Sequence, residues 1–311
     1  GDEVRNALAG RIQARSLESA ETRGWLVQSF RGENTSDGQP FVGRRPELAM
    51  LVAMLERCRS SGRGRAIVIR GDAGIGKTSM VNAIQAAAMQ AGIRTHVSAT
   101  LDFGQSLGHR PVTTLALSLL DVSPGAPLGA RAEAVNRYIA RSQAGIDKRI
   151  FLSDLVDAPL TAELAALENA MDTATRQRGR SLALSELIEA AARRSPLLLI
   201  VEDIHWADSD ELARFGEIAA VVAQCPALLL MTTRPEGDPI GASWRARARG
   251  CPVTTIDLAP LGDDEAQELG AHYPELAPAA IEACIRRAEG NPLFLDQLLR
   301  AARSGHESLP G

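Results

Sequence analysis

The octapeptide Gly71-Asp72-Ala73-Gly74-Ile75-Gly76-Lys77-Thr78 constrains this chain more than any other stretch. Three glycines let a backbone curl until several N–H groups converge on one point. Such a curl suits phosphate oxygens. Lys77 adds a positive charge that reaches the β- and γ-phosphates of a triphosphate, and Thr78 adds a hydroxyl suited to Mg2+. The flanks agree with this reading. Ala66-Ile67-Val68-Ile69 is short, apolar and rich in β-branched residues, as a strand requires, and Lys77 to Ala91 has the pattern of a helix stopped by Gly92. Strand, glycine loop and helix is the context in which a phosphate loop works, because the helix adds its free N–H groups and dipole. The alternative is a glycine turn that binds nothing.

Ahead of this unit, Val27-Gln28-Ser29-Phe30 alternates like a strand and closes a small N-terminal piece, residues 1–32. Polar residues 33–40 then predict a linker. Pro46 to Arg59 predicts a helix with Leu48, Leu51, Val52 and Leu55 along one face. Arg94 to Thr100 predicts a strand in which Thr95, Val97 and Ala99 alternate with His96 and Ser98. From about 101 to 194 the pattern is helical, broken by prolines and glycines. Leu197-Leu198-Leu199-Ile200-Val201 and Ala227-Leu228-Leu229-Leu230-Met231 are unbroken apolar runs, which suits central parallel strands covered on both faces. A fifth strand is expected near Val253 to Leu258. Three short helices are expected after Pro260, and Asn291-Pro292 has the cap-then-proline order of a helix start.

The two long apolar runs end in chemistry: one in Glu202-Asp203, the other in Thr232-Thr233-Arg234. In open α/β sheets the C-terminal edge of the strands is where ligands bind, so phosphate loop, paired acids and Thr-Thr-Arg are expected to converge on one crevice. A magnesium-dependent phosphoryl site needs one acid for the metal and a second group for the attacking water. Glu202 with Thr78 is the expected metal pair and Asp203 the expected water-side acid. Arg234 would sense the γ-phosphate; the alternatives are a surface arginine at a loop start and an acidic pair that only caps a strand exit. His205 is expected to pack or orient, and Trp206 to anchor its loop.

Composition excludes other classes. With 311 residues and 45% hydrophobic content but only 4% aromatics, the chain can bury a large, aliphatic core. A net charge of −4 gives no overall electrostatic footprint for nucleic acid or an anionic membrane, which makes nucleic acid an unexpected partner and leaves a local basic patch as the alternative. Cys58, Cys225, Cys251 and Cys284 lack metal-ligand spacing, so core filling in a reduced, cytoplasmic protein is expected. No apolar run approaches the length of a membrane span.

Four motifs in order resemble the signalling NTPases called STAND, near the AAA ATPases. Phe41-Val42-Gly43-Arg44-Arg45-Pro46-Glu47-Leu48 resembles their adenine-side motif, Val201 to Asp208 their extended acidic motif, Thr232-Thr233-Arg234 their first sensor, and Gly290-Asn291-Pro292-Leu293 their lid turn. The resemblance implies an α/β P-loop NTPase with a five-stranded parallel sheet sandwiched by helices, a core over 41–257 and a C-terminal helical lid over 258–311. It implies ATP or ADP with Mg2+, held by Val42, Gly43, Arg44, Asp72, Ala73, Gly74, Ile75, Gly76, Lys77, Thr78, Ser79 and Pro292, with Asp203, Glu202 and Arg234 as catalytic residues. Glu202 stands where the family usually carries Asp, which keeps a metal ligand on a longer arm.

Glu236-Gly237-Asp238-Pro239, Trp244-Arg245, Leu258-Ala259-Pro260-Leu261 and parts of residues 2–31 are similar to bacterial class III adenylate or guanylate cyclase proteins that carry such an ATPase region. The implied function is a slow ATPase switch for an attached cyclase domain, with C-terminal repeats in the parent protein and nucleotide-dependent self-association as a further expectation. On this resemblance the chain is an excised middle that makes no cyclic nucleotide, since a winged helix and repeats would follow Gly311. The rivals are an ATPase module of a DNA-binding regulator or replication initiator, and a nucleotide-holding scaffold without turnover.

Overall fold

The computed structural model describes residues 12–19, 22–30, 41–100, 110–142 and 145–304. Near the N-terminus β1 (Ile12–Ser19) pairs antiparallel with β2 (Thr22–Phe30), and the expected strand at Val27–Phe30 is the end of β2. The rest of the expected N-terminal piece, the linker at 33–40, residues 101–109 at the start of the expected helical stretch and residues 305–311 lie outside the described residues.

The main body alternates helices and strands: α1 (Arg45–Ser61), β3 (Arg65–Arg70), α2 (Lys77–Gln90) and β4 (Arg94–Ala99). Five helices follow, α3 (Pro111–Leu119), α4 (Leu128–Ser142), α5 (Ile146–Leu155), α6 (Ala162–Ala170) and α7 (Thr173–Ala192). Then come β5 (Leu197–Glu202), α8 (Ser209–Val222), β6 (Ala227–Thr233), α9 (Ala242–Arg247) and β7 (Val253–Asp257). A helical lid closes the described chain with α10 (Asp263–Gly270), α11 (Pro278–Ala288) and α12 (Pro292–Arg303).

All five strands from β3 to β7 are parallel, in the order β4-β5-β6-β3-β7. The two-residue period of a strand divides the apolar runs between two cores. Ala66, Val68, Leu197, Leu199, Val201, Ala227, Leu229 and Met231 face α3, α4, α5, α7, α8 and α9. Their neighbours Ile67, Ile69, Leu198, Ile200, Leu228 and Leu230 face α1 and α2. A fully buried leucine or isoleucine contributes roughly 1.5–3 kcal/mol, so continuous apolar strands are what a double-sided sheet demands. The lid has its own cluster around Leu269, Tyr273, Leu295, Leu298 and Leu299, and Val42 packs against it. All four cysteines are buried and form no disulfide.

The edge strand β4 is inverted relative to a simple apolar-in pattern. His96 is 4% exposed and Ser98 is buried, while Val97 is 36% exposed. His96 Nδ1 lies 2.8 Å from Ser118 Oγ on α3, which gives the imidazole a reason to face inward. Burial, followed by the nearby Arg94 charge, pushes its pKa down to about 4.

This inversion predicts a pH dependence. The folded His96 stays neutral until pH falls to about 4, whereas the unfolded ring protonates near its ordinary value of about 6.5. Stability tied to the neutral ring is therefore complete above pH 6.5 and lost as pH falls towards 4. At pH 5 the loss relative to pH 7 is expected to be about 2 kcal/mol. His96→Gln should flatten that part of the profile in urea unfolding at the two pH values; an unchanged slope would show that other groups carry it.

Candidate functional site

The loop after β3 rises from the sheet edge through residues that only glycine tolerates well. Gly74 and Gly76 sit at φ 76° and 103°, and Ile75 between them is buried in the α1–α2 core, which pins the loop. Its carbonyls are engaged by the protein. Lys77 Nζ donates to Gly71 O at 2.7 Å and to Asp72 O at 2.8 Å, Asn291 Nδ2 to Ala73 O at 3.0 Å, and Leu293 N to Gly74 O at 3.2 Å. Met80 N donates to Gly76 O at 3.0 Å as α2 begins. With their carbonyls held from behind, the loop's peptides and the α2 N-terminus present donors on the other side. Lys77 spends two of its three N–H donors on the loop. Its pKa is lowered, first by burial, while Asp203 pulls it up and Arg234 pushes it down.

Strand order brings the acids to this loop. β6 lies between β3 and β5, with Thr233 beside Arg70 and Met231 beside Val201, so the ends of the three strands align. Thr78 Oγ1 donates to Glu202 Oε2 at 3.1 Å. Burial chiefly, and then the Asp203 charge, raise the Glu202 pKa; the Thr78 hydroxyl works the other way. Asp203 takes the left-handed conformation at φ 57°, an uncommon backbone for a residue with a side chain. Its N–H donates to Thr232 Oγ1 at 2.9 Å, so β6 holds the turn that presents the acid. Arg234 follows β6 and lies over the ring of Trp206, 5.5 Å from its centre. His205 is tucked in, 4.0 Å from an Asp203 oxygen, whereas Trp206 is 40% exposed. The tryptophan thus contacts Arg234 as well as belonging to the loop it was expected to anchor.

The lid completes a cleft of about 610 Å3, its open mouth included, lined on the core side by Phe41, Val42, Arg44, Ile75 and Ser79 and on the lid side by Leu261, Leu269, Pro292 and Leu293. The cleft also includes Asp296, so apolar and polar groups share its lining beside the glycine loop. Arg44, 7% exposed and at φ 53°, donates its backbone N–H to Glu265 Oε1 at 2.9 Å and its guanidinium to Ala259 O. Glu265 also accepts from Gly262 N at 3.0 Å. A side chain at Gly43 would collide with this carboxylate, and one at Gly74 with Asn291 and Leu293. Each loop is built to receive the lid closely.

Residues 40–231 match the family of the AAA ATPase domain. The chain belongs to that family. An uncharacterized protein of Rhizobium meliloti (strain 1021) is 28% identical over 266 residues, which cover 84% of this chain and 25% of the relative, so the chain spans a quarter of that protein's length. Among solved structures, the Aeropyrum pernix Orc1 protein in complex with DNA superposes with a TM-score of 0.52 at 13% identity, covering 89% of this chain and 65% of that one. Cdc6p from Pyrobaculum aerophilum gives 0.51 at 14% identity, with coverages of 89% and 66%. These likenesses agree with the fold, a five-stranded parallel sheet with helices, and the family match makes it an AAA-type ATPase module.

Within this AAA module the structure brings together Asp72 to Ser79, Glu202, Asp203 and Arg234 at one sheet edge, and Val42, Gly43, Arg44 and Pro292 around the adjoining cleft. Arg180 pairs with Asp154 at 3.3 Å and Arg193 with Glu189 at 3.6 Å. Two contacts of the site lay beyond the sequence reading. Asn291 reads in the sequence as a helix cap within the lid-turn motif, and its side chain both accepts from Phe294 N and donates to the loop. Glu265 was not singled out; an acid three residues into a helix is a capping signal that would have found it.

Glu265 offers a test of lid attachment. Burial raises its pKa, but the N–H bonds from Arg44 and Gly262 outweigh that and leave it lowered. Glu265→Ala leaves both N–H groups without this partner and should cost about 1–2 kcal/mol. Faster amide hydrogen exchange confined to residues 41–45 and α10 is the expected result, whereas uniform acceleration across the sheet would mean that the lid is not separately attached.

Proposed function

We propose that this module binds Mg·ATP or ADP between the α/β core and the helical lid and works as a slow, STAND-type ATPase switch. One observation carries the reading: a loop whose carbonyls are held by the protein stands against an acid already in contact with the loop's threonine. Triphosphate oxygens would accept from the loop N–H groups and from Lys77. Among the described residues no cluster of three His, Cys, Asp or Glu could hold a metal alone. Thr78 and Glu202 supply two neighbouring oxygens, which fits a magnesium that arrives on phosphate and keeps several waters. That ion would neutralise charge developing on the phosphates.

The residues divide the chemistry as follows. Asp203 accepts a proton from the attacking water as the water oxygen bonds to the γ-phosphorus and the bond to the bridging oxygen breaks, releasing ADP and phosphate. Thr232 fixes the peptide that presents Asp203. Arg234 meets the third phosphate. Because Asn291 and Leu293 of the lid touch the same loop, the bound nucleotide would set the lid's angle.

A regulatory role toward an attached nucleotide cyclase and C-terminal repeats is part of the proposal, and it rests on the motif resemblance alone. The second reading, an ATPase module in a DNA-binding assembly, draws on the Orc1 and Cdc6p likenesses, which speak for fold alone. Salt-dependent DNA binding by the chain would favour it. Among the described residues no helix is long and apolar enough to cross a membrane.

Lys77→Ala removes charge-assisted contacts and should weaken ATP about ten- to a hundredfold in titration calorimetry. Equal affinities for the two proteins would refute the phosphate-loop assignment. Asp203→Asn should bind ATP within about threefold of the parent chain but release phosphate about a hundredfold more slowly. Wild-type turnover in that variant would remove Asp203 from the chemistry.

A further inference from the structure

Arg234 and Trp206 form a pair that the nucleotide reading does not by itself require. Trp206 ends the turn Ile204–Trp206, locked by its own N–H to Asp203 O at 3.0 Å and by the buried Ile204. Arg234 follows Thr233, the end of the strand whose Thr232 hydroxyl holds the Asp203 N–H. The turn after β5 and the end of β6 are therefore joined twice, once by a hydrogen bond and once by a cation over an aromatic face. Among the described residues no carboxylate pairs with Arg234 and no oxygen accepts from its guanidinium. By contrast, Arg70 at the end of β3 is neutralised by Asp238 and Asp257.

That difference decides what each arginine can do. An arginine in a carboxylate fork has spent its donors and its charge. A cation over a ring is held by the quadrupole of the face, which consumes neither. The interaction is weaker than a charge-assisted hydrogen bond to phosphate, so it orders the side chain without competing with a ligand for it. Arg234 also depresses the Lys77 pKa, so its field reaches the loop that would hold the phosphates.

We propose that Trp206 is a positioning residue for Arg234, holding the guanidinium over its indole face with charge and donors available to the third phosphate, so that the pair distinguishes ATP from ADP. This rests on the nucleotide reading above. A γ-phosphate is present in one ligand and absent in the other, so the effect of Trp206 belongs to ATP alone.

The test is to measure the dissociation constants of Mg·ATP and Mg·ADP for the full chain, Trp206→Leu, Trp206→Phe, Arg234→Ala and the double variant Trp206→Leu/Arg234→Ala. Trp206→Leu should weaken ATP about three- to tenfold and leave ADP within about twofold. Trp206→Phe, which restores an aromatic face, should recover most of the loss. Added to Arg234→Ala, Trp206→Leu should cost nothing more. Equal losses for ATP and ADP, a phenylalanine variant as weak as the leucine one, or additive effects would each overturn the assignment and leave the nucleotide reading intact. A parent chain that binds neither nucleotide would overturn both.

Discussion

The direction in which the phosphate loop's peptides point governs the rest of this molecule. A peptide that donates on one side must have its carbonyl accept on the other, and buried or crowded carbonyls are costly to leave without a partner. Here Lys77 meets the carbonyls of Gly71 and Asp72 from within the loop, and α2 meets that of Gly76. The carbonyls of Ala73 and Gly74 are met from a segment more than two hundred residues away, by Asn291 and Leu293. The lid is thus part of what makes the loop a set of donors. It also explains why position 74 is glycine: a side chain there would meet Asn291 and Leu293 and separate the two surfaces.

The strand order supplies the second half of the site. A loop and an acid on adjacent strands would crowd each other, whereas β6 between β3 and β5 separates the strand ends by two strand spacings, on the order of 10 Å. That gap is wide enough for phosphates. The helix that begins at Lys77 spans it, which is how Thr78 reaches Glu202. The intervening strand then contributes its own end, with Thr232 fixing the acid's peptide and Arg234 lying over the Trp206 ring.

Much of this was legible in the sequence because its signals are local. The glycine loop, the β-branched strand before it, the apolar runs ending in Glu202-Asp203 and Thr232-Thr233-Arg234, and Asn291-Pro292 as a helix start each lie within a few residues. The motif resemblance implied a five-stranded parallel sheet, but the order of its strands was not read from the sequence, because it depends on pairing between distant segments. What escaped depends on contacts between distant segments or on a competition between them. Glu265 matters because its carboxylate bridges to Arg44, and Asn291 because its amide has a second partner on the loop. In β4 the alternation was visible but its inward face was not, since Ser118 on a later helix rewards the burial of His96. Trp206 is a similar case: its spacing says nothing about an arginine that arrives from another strand.

The lid contacts also bound how strongly a nucleotide can act on the lid. Two hydrogen bonds join lid to loop, and Glu265 together with the Arg44 guanidinium joins it to the segment before α1. At about 1 kcal/mol net for a typical hydrogen bond, the polar attachment amounts to a few kcal/mol. Moving a two-state equilibrium from 1:99 to 99:1 takes about 5.5 kcal/mol. The attachment and the shift are therefore of the same order. A ligand that reorganised the loop peptides would alter the bonds to Ala73 and Gly74 while leaving the Glu265 bridge in place, so the lid would pivot about the Arg44–Glu265 side and would not detach as a whole. On the switch reading, the loop side is where nucleotide state is registered and the Arg44 side is the hinge.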